Sequence, residues 1–375
     1  MNFEEHVGKT LLLGRAGIAT PQGVVCTTPE QAADAARGIG RVVVKAQVPA
    51  GQRGKAGGIA IAETPQQAEI VAREILGKTI GGYAVERVLV EAQAEIDREF
   101  YAAVVTDVAS RSPLVLFASD GGIEIEELAA EKPAALRRAA VDVTRGFTAA
   151  DAAELLRGLG LGAAEAAVAD ALARLYQLYR DHDAELLEIN PLALLRDGRV
   201  VALDCKFVLD DAAALRQPAL VAAAAPPRLT ALERRGTEHG LKFIQLDGNV
   251  GILANGAGLT MTTMDVIAYF GGRPANFLEI GGDAYTKAEV ALDLVLANPG
   301  VKSLVVNFCG AFARTEVMAA GVIRSWEALR PSVPAFFSIH GTGAEEAVKL
   351  VRERLGIEPY DLMEDAVLAA IEAAR

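Results

Sequence analysis

The chain has 375 residues, of which 51% are hydrophobic and 23% charged, and its formal net charge is −12. That length allows two or three domains, and the composition is ordinary for a globular protein. The acidic balance argues against nucleic acid or an anionic membrane as partner, so any anionic ligand must be held by local groups.

The N-terminus, MNFEEHVGKTLLLGRAG, places two glutamates before a short apolar run, unlike a secretory signal. No stretch approaches the roughly 18 apolar residues of a membrane span. The longest candidate, ALVAAAA at 219–225, is stopped by Pro226 and Pro227. Cys26, Cys205 and Cys309 are odd in number and far apart, which suggests buried, inert thiols in a reducing cytoplasm and no metal cluster.

Gly8-Lys9-Thr10 and Gly77-Lys78-Thr79 both imitate the end of a phosphate loop. Phe3 and Ala72 stand where the required earlier glycine belongs, so a helix start or a loop accounts for each. The stretch VVVKAQVPAGQRGKAGG (42–58) is different. On a strand, Lys45 and Gln47 share one face while Val44, Ala46 and Val48 take the other. Arg53 and Lys55 follow in a loop whose glycines let backbone come close to a ligand. Cations and bare N–H groups on one hairpin suit a polyphosphate; a solvated lysine and a flexible turn would read the same way.

Next come LVEAQAEIDREFYAAVVTDVA and SPLVLFASDGGIEIEEL, which alternate at period two as antiparallel strands do. Glu91 and Glu99 lie in this region, where a carboxylate can accept from an adenine amine or a ribose hydroxyl; each also reads as a surface charge. The Ala- and Leu-rich stretch 148–179 predicts helix. AELLEINPLALLRDGRVVALDCKFVL then reads as a hairpin turning at Arg196-Asp197-Gly198. A three-residue turn with Gly198 left-handed sets Asn190 opposite Asp204 and Glu188 opposite Lys206, all on one side of the ribbon. One carboxylate and one amide oxygen, with waters and phosphate oxygens, can hold Mg²⁺ beside a nucleotide. An exposed polar face carrying a Glu–Lys pair is the alternative.

QPALVAAAAPPRLTALERRGTEHG (217–240) changes composition sharply and predicts a linker over 226–240, between domains at 1–225 and 241–375. Beyond it, NVGILANG, ANFLEIGG, KSLVVNFCG and AFFSIHGTG are strand-length apolar runs, each followed by a helical pattern. That alternation means a parallel sheet with right-handed crossovers, and ligands at the carboxyl ends of its strands. The loops NGAGL, GGDAY, CGAFAR and HGTGAEE all put glycine before a helix N-terminus. Four such loops on one edge point to an anionic ligand; tight corners alone also call for glycine. The four histidines show no catalytic-triad or zinc spacing, and only His340 occupies a strand-end loop.

These stretches, with GGIEIEELA, LLEINPLAL, ALDCKFVLDDAAALRQP, LDGNVGILANGAGLTMTTMD, GGRPANFLEIGGDA and NFCGAFAR, resemble the β subunit of ADP-forming succinyl-CoA synthetase over nearly the whole chain. The resemblance implies an α/β fold: an ATP-grasp domain followed by a flavodoxin-like, parallel-sheet CoA-ligase domain. It implies ATP bound by Lys45, Gln52, Arg53, Gly54, Glu91, the backbone near Ala94, and Glu99, with Mg²⁺ on Asn190 and Asp204. The carboxylate substrate would meet Asn255 and the turn Ala311, Phe312 and Ala313. A partner α subunit would bind CoA and carry a histidine that becomes phosphorylated. Pro21 resembles the form that prefers adenine. The chain departs from the family pattern at Pro49 and Gln52, where a His and a Gly are usual, at Ala311-Phe312-Ala313 for Gly-Ile-Val, and in GGDAY. A malate or other dicarboxylate–CoA ligase, or a stand-alone ATP-grasp carboxylate–amine ligase, are the alternatives.

Overall fold

The computed structural model describes residues 1–122, 125, 130, 133–280, 284–312 and 314–375. It divides into two compact units, Met1–Pro227 and Arg228–Arg375.

The first unit holds two principal sheets. The smaller has the order β1 (Gly23–Cys26), β6 (Val88–Ala92), β2 (Val42–Ala46), β3 (Ile59–Ala62), all antiparallel. Helices Pro29–Ile39 and Pro65–Ile75 cover one face. Each starts at a threonine cap, Thr28 or Thr64, with proline at the first turn, as the missing N–H and fixed φ of proline favour. Val42, Val44 and Ala46 point into that core with Ala32, Ala36, Ala68 and Ala72. Period-two alternation therefore turns Lys45 and Glu91 to the other face. A short ribbon, β4 (Thr79–Ile80) and β5 (Tyr83–Ala84), closes the layer.

The larger sheet runs β11 (Val200–Ala202), β10 (Ala184–Leu195), β7 (Ile96–Asp107), β8 (Ser112–Ala118), β9 (Leu136–Ala140), with β12 (Lys206–Leu209) also on β10. Its apolar face, including Phe100, Phe117, Leu187, Ile189 and Phe207, packs on helices Ala149–Leu156 and Glu165–Asp181 and on the N-terminal segment. That segment is one helical turn, Glu5–Val7, continued by a π-helical run, Gly8–Leu13. Gly8 is required there, because a Cβ would come 2.5 Å from Cys205 Sγ.

In the second unit the sheet order is β13 (Lys242–Gln245), β15 (Asn276–Ile280), β14 (Val250–Asn255), β16 (Ser303–Gly310), β17 (Ala335–Gly341). The last four are parallel; β13, which sequence patterning passed over, is an antiparallel edge. The parallel strands take the flavodoxin-type order, and an isolated bridge from Ser338 to Tyr360 extends it. The segment expected as a linker or linker helix contains a helix, Ala231–Glu238, with a Thr230–Glu233 capping box. Its Gly236 lies against Phe243, where a Cβ would approach to 2.9 Å, so this helix is part of the second unit. Among the described residues no helix is long and apolar enough to cross a membrane.

Candidate functional site

The hairpin has the register its turn chemistry requires. Leu195 N–H donates to Arg199 O at 2.8 Å around a turn in which Gly198 has φ 87°. Glu188 pairs with Lys206, and Leu203 N–H donates to Pro191 O at 3.0 Å. These two contacts bracket Asn190 opposite Asp204. Asn190 Oδ1 accepts from Gly122 N–H at 2.8 Å, and a Cβ on Gly122 would lie 2.5 Å from Glu99 Oε2. Asn190 and Glu99 are thus neighbours on the face opposite the helices, and burial raises the Glu99 pKa. Tyr101 Oη donates to Glu188 at 3.0 Å on the same face. Ala94 sits at the edge of a small apolar group with Ala193, Leu195 and Val201.

Asp204 is where the two sheets meet. Arg53 Nη2 donates to both of its carboxylate oxygens at 2.7 Å, and Cys205 N–H donates to Oδ1 at 2.7 Å. The same guanidinium donates through Nη1 to Ala46 O at 3.0 Å and lies 2.7 Å from Glu5 Oε2. Lys45 Nζ donates to Leu203 O at 2.6 Å, to Glu91 at 2.7 Å and to Glu5 Oε1 at 3.1 Å. Lys9 Nζ reaches the same acceptors: Glu5 at 2.6 Å, Glu91 at 2.7 and 2.8 Å, and Leu203 O at 2.8 Å. Three cations and three carboxylates therefore form one balanced, buried cluster.

Burial alone would lower the Lys45 pKa, but Glu5, Glu91 and Asp204 overcome it and hold the ammonium charged. Arg53 is likewise held protonated against burial by Asp204 and Glu5. Glu5, which burial would push up, is held well below the usual carboxylate range by Lys45, Lys9 and Arg53. Gln47, on the Lys45 face, accepts from His6 N–H at 2.9 Å and anchors the N-terminal helix over β2.

Sequence reasoning found Lys45, Arg53, Glu91 and Asp204 and missed Glu5 and Lys9. Lys9, read there as part of a helix start, belongs to the cluster. The available signal was the i,i+4 Glu–Lys spacing inside a segment otherwise destined for the core. Gln52 and Gly54 flank Arg53 in the loop, and Gln52 takes a left-handed φ of 59°. Asn190 and Asp204 supply hard oxygen donors of the kind Mg²⁺ prefers, and Asp204 already holds a cation in Arg53, so the donor set fits that metal. Groups of three or more His, Cys, Asp or Glu arranged for a metal are absent among the described residues.

In the second unit Asn255 ends β14, with β15 and β16 on either side, the switch point where such sheets bind ligands. Its Nδ2 donates to Cys309 O at 2.9 Å and its Oδ1 accepts from Cys309 N–H at 2.8 Å, so its amide clamps the end of β16. The loop after β16 is laced to the one after β17: Thr342 donates through N–H to Gly310 O at 3.0 Å and through Oγ1 to Ala311 O at 2.9 Å. Phe312 is fully exposed on that turn; Ala313 lies outside the described residues. Of the loop GGDAY, residues 281–283 also lie outside them. Glu316 occupies the first turn of the following helix, Thr315–Leu329, paired to Arg314. Cys26 and Cys205 are buried as expected; Cys309 is exposed, because it falls at the open end of β16.

Residues 2–194 match the model of the ATP-grasp domain and residues 253–370 that of the CoA-ligase. The chain is 42% identical to the succinate–CoA ligase [ADP-forming] subunit beta of Rubrobacter xylanophilus, over 100% of this chain and 99% of that one. It is also 42% identical to the [GDP-forming] subunit beta of Thermus thermophilus, over 94% and 93%. Among solved structures, ATP citrate lyase from Methanothrix soehngenii, in complex with citrate and coenzyme A, superposes with TM-score 0.73 at 24% identity, covering 99% of both chains, a likeness of fold. With a first unit that matches the ATP-grasp domain and holds a lysine–arginine–carboxylate cluster, and a second unit that matches the CoA-ligase and holds a parallel sheet, the chain belongs to the family of succinate–CoA ligase β subunits.

Proposed function

We propose that this chain is the nucleotide-binding subunit of an ADP-forming dicarboxylate–CoA ligase whose acid is succinate. The observation that carries the reading is the convergence of Lys45, Arg53 and Asp204, from two different sheets, on one buried cluster. ATP would lie against Lys45, Arg53 and the backbone of Gln52 and Gly54, with Ala94 and Glu99 beside its nucleoside and Glu91 ordering Lys45. Asn190 and Asp204 would hold Mg²⁺, which when bound neutralises developing charge on the phosphate oxygens.

The chain's own contribution is positioning and charge stabilisation, the main sources of rate in phosphoryl transfer. Lys45 and Arg53 orient the phosphate tail. The acceptor is a histidine of the partner α subunit, which also binds CoA. A phosphoryl group then passes to the carboxylate at the second unit, and CoA thiol displaces phosphate to give the thioester. There Asn255 fixes the end of β16, and the carboxylate would meet the segment Ala311, Phe312 and Ala313 ahead of the helix that starts at Thr315. The dipole of that helix adds about 0.3–2 kcal/mol, so it assists and cannot carry the reaction alone.

The test is co-purification with the α chain, followed by CoA-dependent ADP release across succinate, malate and other dicarboxylates. Release strictly requiring both α chain and CoA, fastest with succinate, is the expected result. A malate optimum would replace the acid. Equal release with and without CoA for every acid would dismiss the ligase, and amine-dependent turnover without a partner would favour a carboxylate–amine ligase.

A further inference from the structure

Two members of the charge cluster, Glu5 and Lys9, have no part in the sites above. Side-chain exposure rises outward through the cluster: 1% at Glu5, 4% at Lys9, 6% at Arg53, 10% at Lys45 and 31% at Asp204. Lys45 and Asp204 stand at the mouth, and Glu5 lies too deep to touch a ligand. Yet its one carboxylate meets cations from three separate segments: Lys9 on its own helical run, Lys45 on β2, and Arg53 in the loop after β2.

We propose that Glu5 is the positioning residue of the phosphate site, holding Lys45 and Arg53 at fixed points so that a polyphosphate meets two cations already aligned. The proposal rests on the nucleotide reading above and names the residue that prepares it. Stability alone gives no reason for the arrangement. Desolvating several charges is costly, and exchanging a buried ion pair for apolar side chains of similar volume is often neutral or stabilising. A ligand that needs two cations in register does give a reason. Among the described residues, the guanidinium of Arg53 is held by Ala46 O, Asp204 and Glu5. Once Asp204 is given to a metal, Glu5 is the carboxylate that keeps Arg53 in place. Glu5 Oε2 is buried and lies 2.7 Å from Arg53 Nη1, a close charge pair shielded from water. Lys9 balances Glu5 and Glu91 from behind and keeps both carboxylates turned to the interior.

The experiment titrates Mg–ATP by calorimetry into the full chain, together with its partner subunit where the two purify together. Wild type, Glu5→Gln, Lys45→Met and the double variant are compared. Glu5→Gln is expected to weaken binding about tenfold, the scale of one charge-assisted hydrogen bond. In the Lys45→Met background the same change is expected to cost less, about threefold, because the part of its effect that runs through Lys45 is gone and only the part through Arg53 remains. A loss of equal size in both backgrounds, or wild-type affinity in Glu5→Gln, would overturn the proposal while leaving the nucleotide site standing. If Glu5→Gln does not fold, Glu5→Leu with Lys9→Met removes the inner pair together. That variant is expected to fold and to bind about tenfold more weakly, and wild-type affinity in it counts equally against the proposal. No Mg–ATP binding by the wild type would remove the nucleotide reading and this inference with it.

Discussion

Arg53 grips Asp204 through both carboxylate oxygens, each 2.7 Å from Nη2, and so ties the glycine-rich loop after β2 to the turn between β11 and β12. The residue expected to hold a metal is therefore already cation-bound, and Asp204→Asn removes that tie and, on the proposed reading, a metal ligand with it. Turnover and Mn²⁺ affinity, followed by paramagnetic relaxation, are expected to fall at least about 100-fold, above the 10–100-fold typical of a group one shell further out. The cost in stability is expected to be only about 1 kcal/mol by urea unfolding, because Asp204 is a third exposed and Arg53 keeps Glu5. Metal affinity within threefold of wild type would exclude Asp204 as a ligand.

The Glu5 carboxylate makes stability depend on pH in a defined direction. Its folded pKa lies well below the ordinary 4.5, held there against burial by Lys45, Lys9 and Arg53. The unfolded chain therefore binds the proton first, and the contribution is complete above about pH 4.5 and lost as pH falls through the lower folded value. Glu5→Gln is expected to cost about 3–5 kcal/mol at pH 7, the range for breaking a buried pair. The gap between variant and wild type should narrow in urea titrations run progressively below pH 4.5. A gap that is constant from pH 7 to pH 3 would mean that the carboxylate charge contributes nothing.

How much of this was legible depended on distance along the chain. The Asn190–Asp204 opposition followed from one turn, because Gly198 in a three-residue loop fixes the register of everything behind it. The four parallel strands of the second unit were equally plain, each a short apolar run ending in glycine. What stayed hidden joins segments far apart. Nothing near Lys9 announces Glu91, and Arg53 finds Asp204 only because the fold brings the loop after β2 to the turn between β11 and β12. The edge strand β13 escaped because Lys242–Gln245 alternates for only four residues. The clamp of Asn255 on Cys309 depends on β14 and β16 being neighbours, which spacing alone does not specify.

Gln52 occupies a left-handed backbone conformation, φ 59°, at a position where a glycine is usual in the resemblance drawn from sequence. A side chain there costs about 1–2 kcal/mol in the folded state, which glycine avoids. Glycine also gives the unfolded chain more freedom, offsetting up to about 1 kcal/mol. Gln52→Gly is therefore expected to be neutral to about 1 kcal/mol stabilising, whereas Gln52→Val should destabilise, since a β-branched residue tolerates this region worst. Thermal midpoints of the three proteins give the order, and a Val variant as stable as the Gly variant would show that the loop relaxes out of this conformation.

Asn255 separates the two halves of the proposed reaction. Each end of its amide bonds the Cys309 backbone, so on the proposed reading it holds the end of β16 and the turn beyond it. Asn255→Ala leaves a backbone N–H and a carbonyl to water at an exposed position, a loss of about 0.5–1.5 kcal/mol in stability. The first unit keeps every contact of its charge cluster, so Mg–ATP affinity and phosphorylation of the partner should change less than about threefold. Thioester formation should fall by at least about tenfold, since a turn displaced by as little as about 1 Å can cost about a hundredfold in rate. Asn255→Asp keeps the acceptor for Cys309 N–H but sets a carboxylate against Cys309 O and beside the proposed site of an anionic substrate. It is expected to be the worse of the two in thioester formation. Radiolabel transfer from ATP, followed to the partner chain and then to the acid, reads both stages in one assay. Equal loss at both stages would mean that Asn255 supports the chain as a whole and has no special place at the second site.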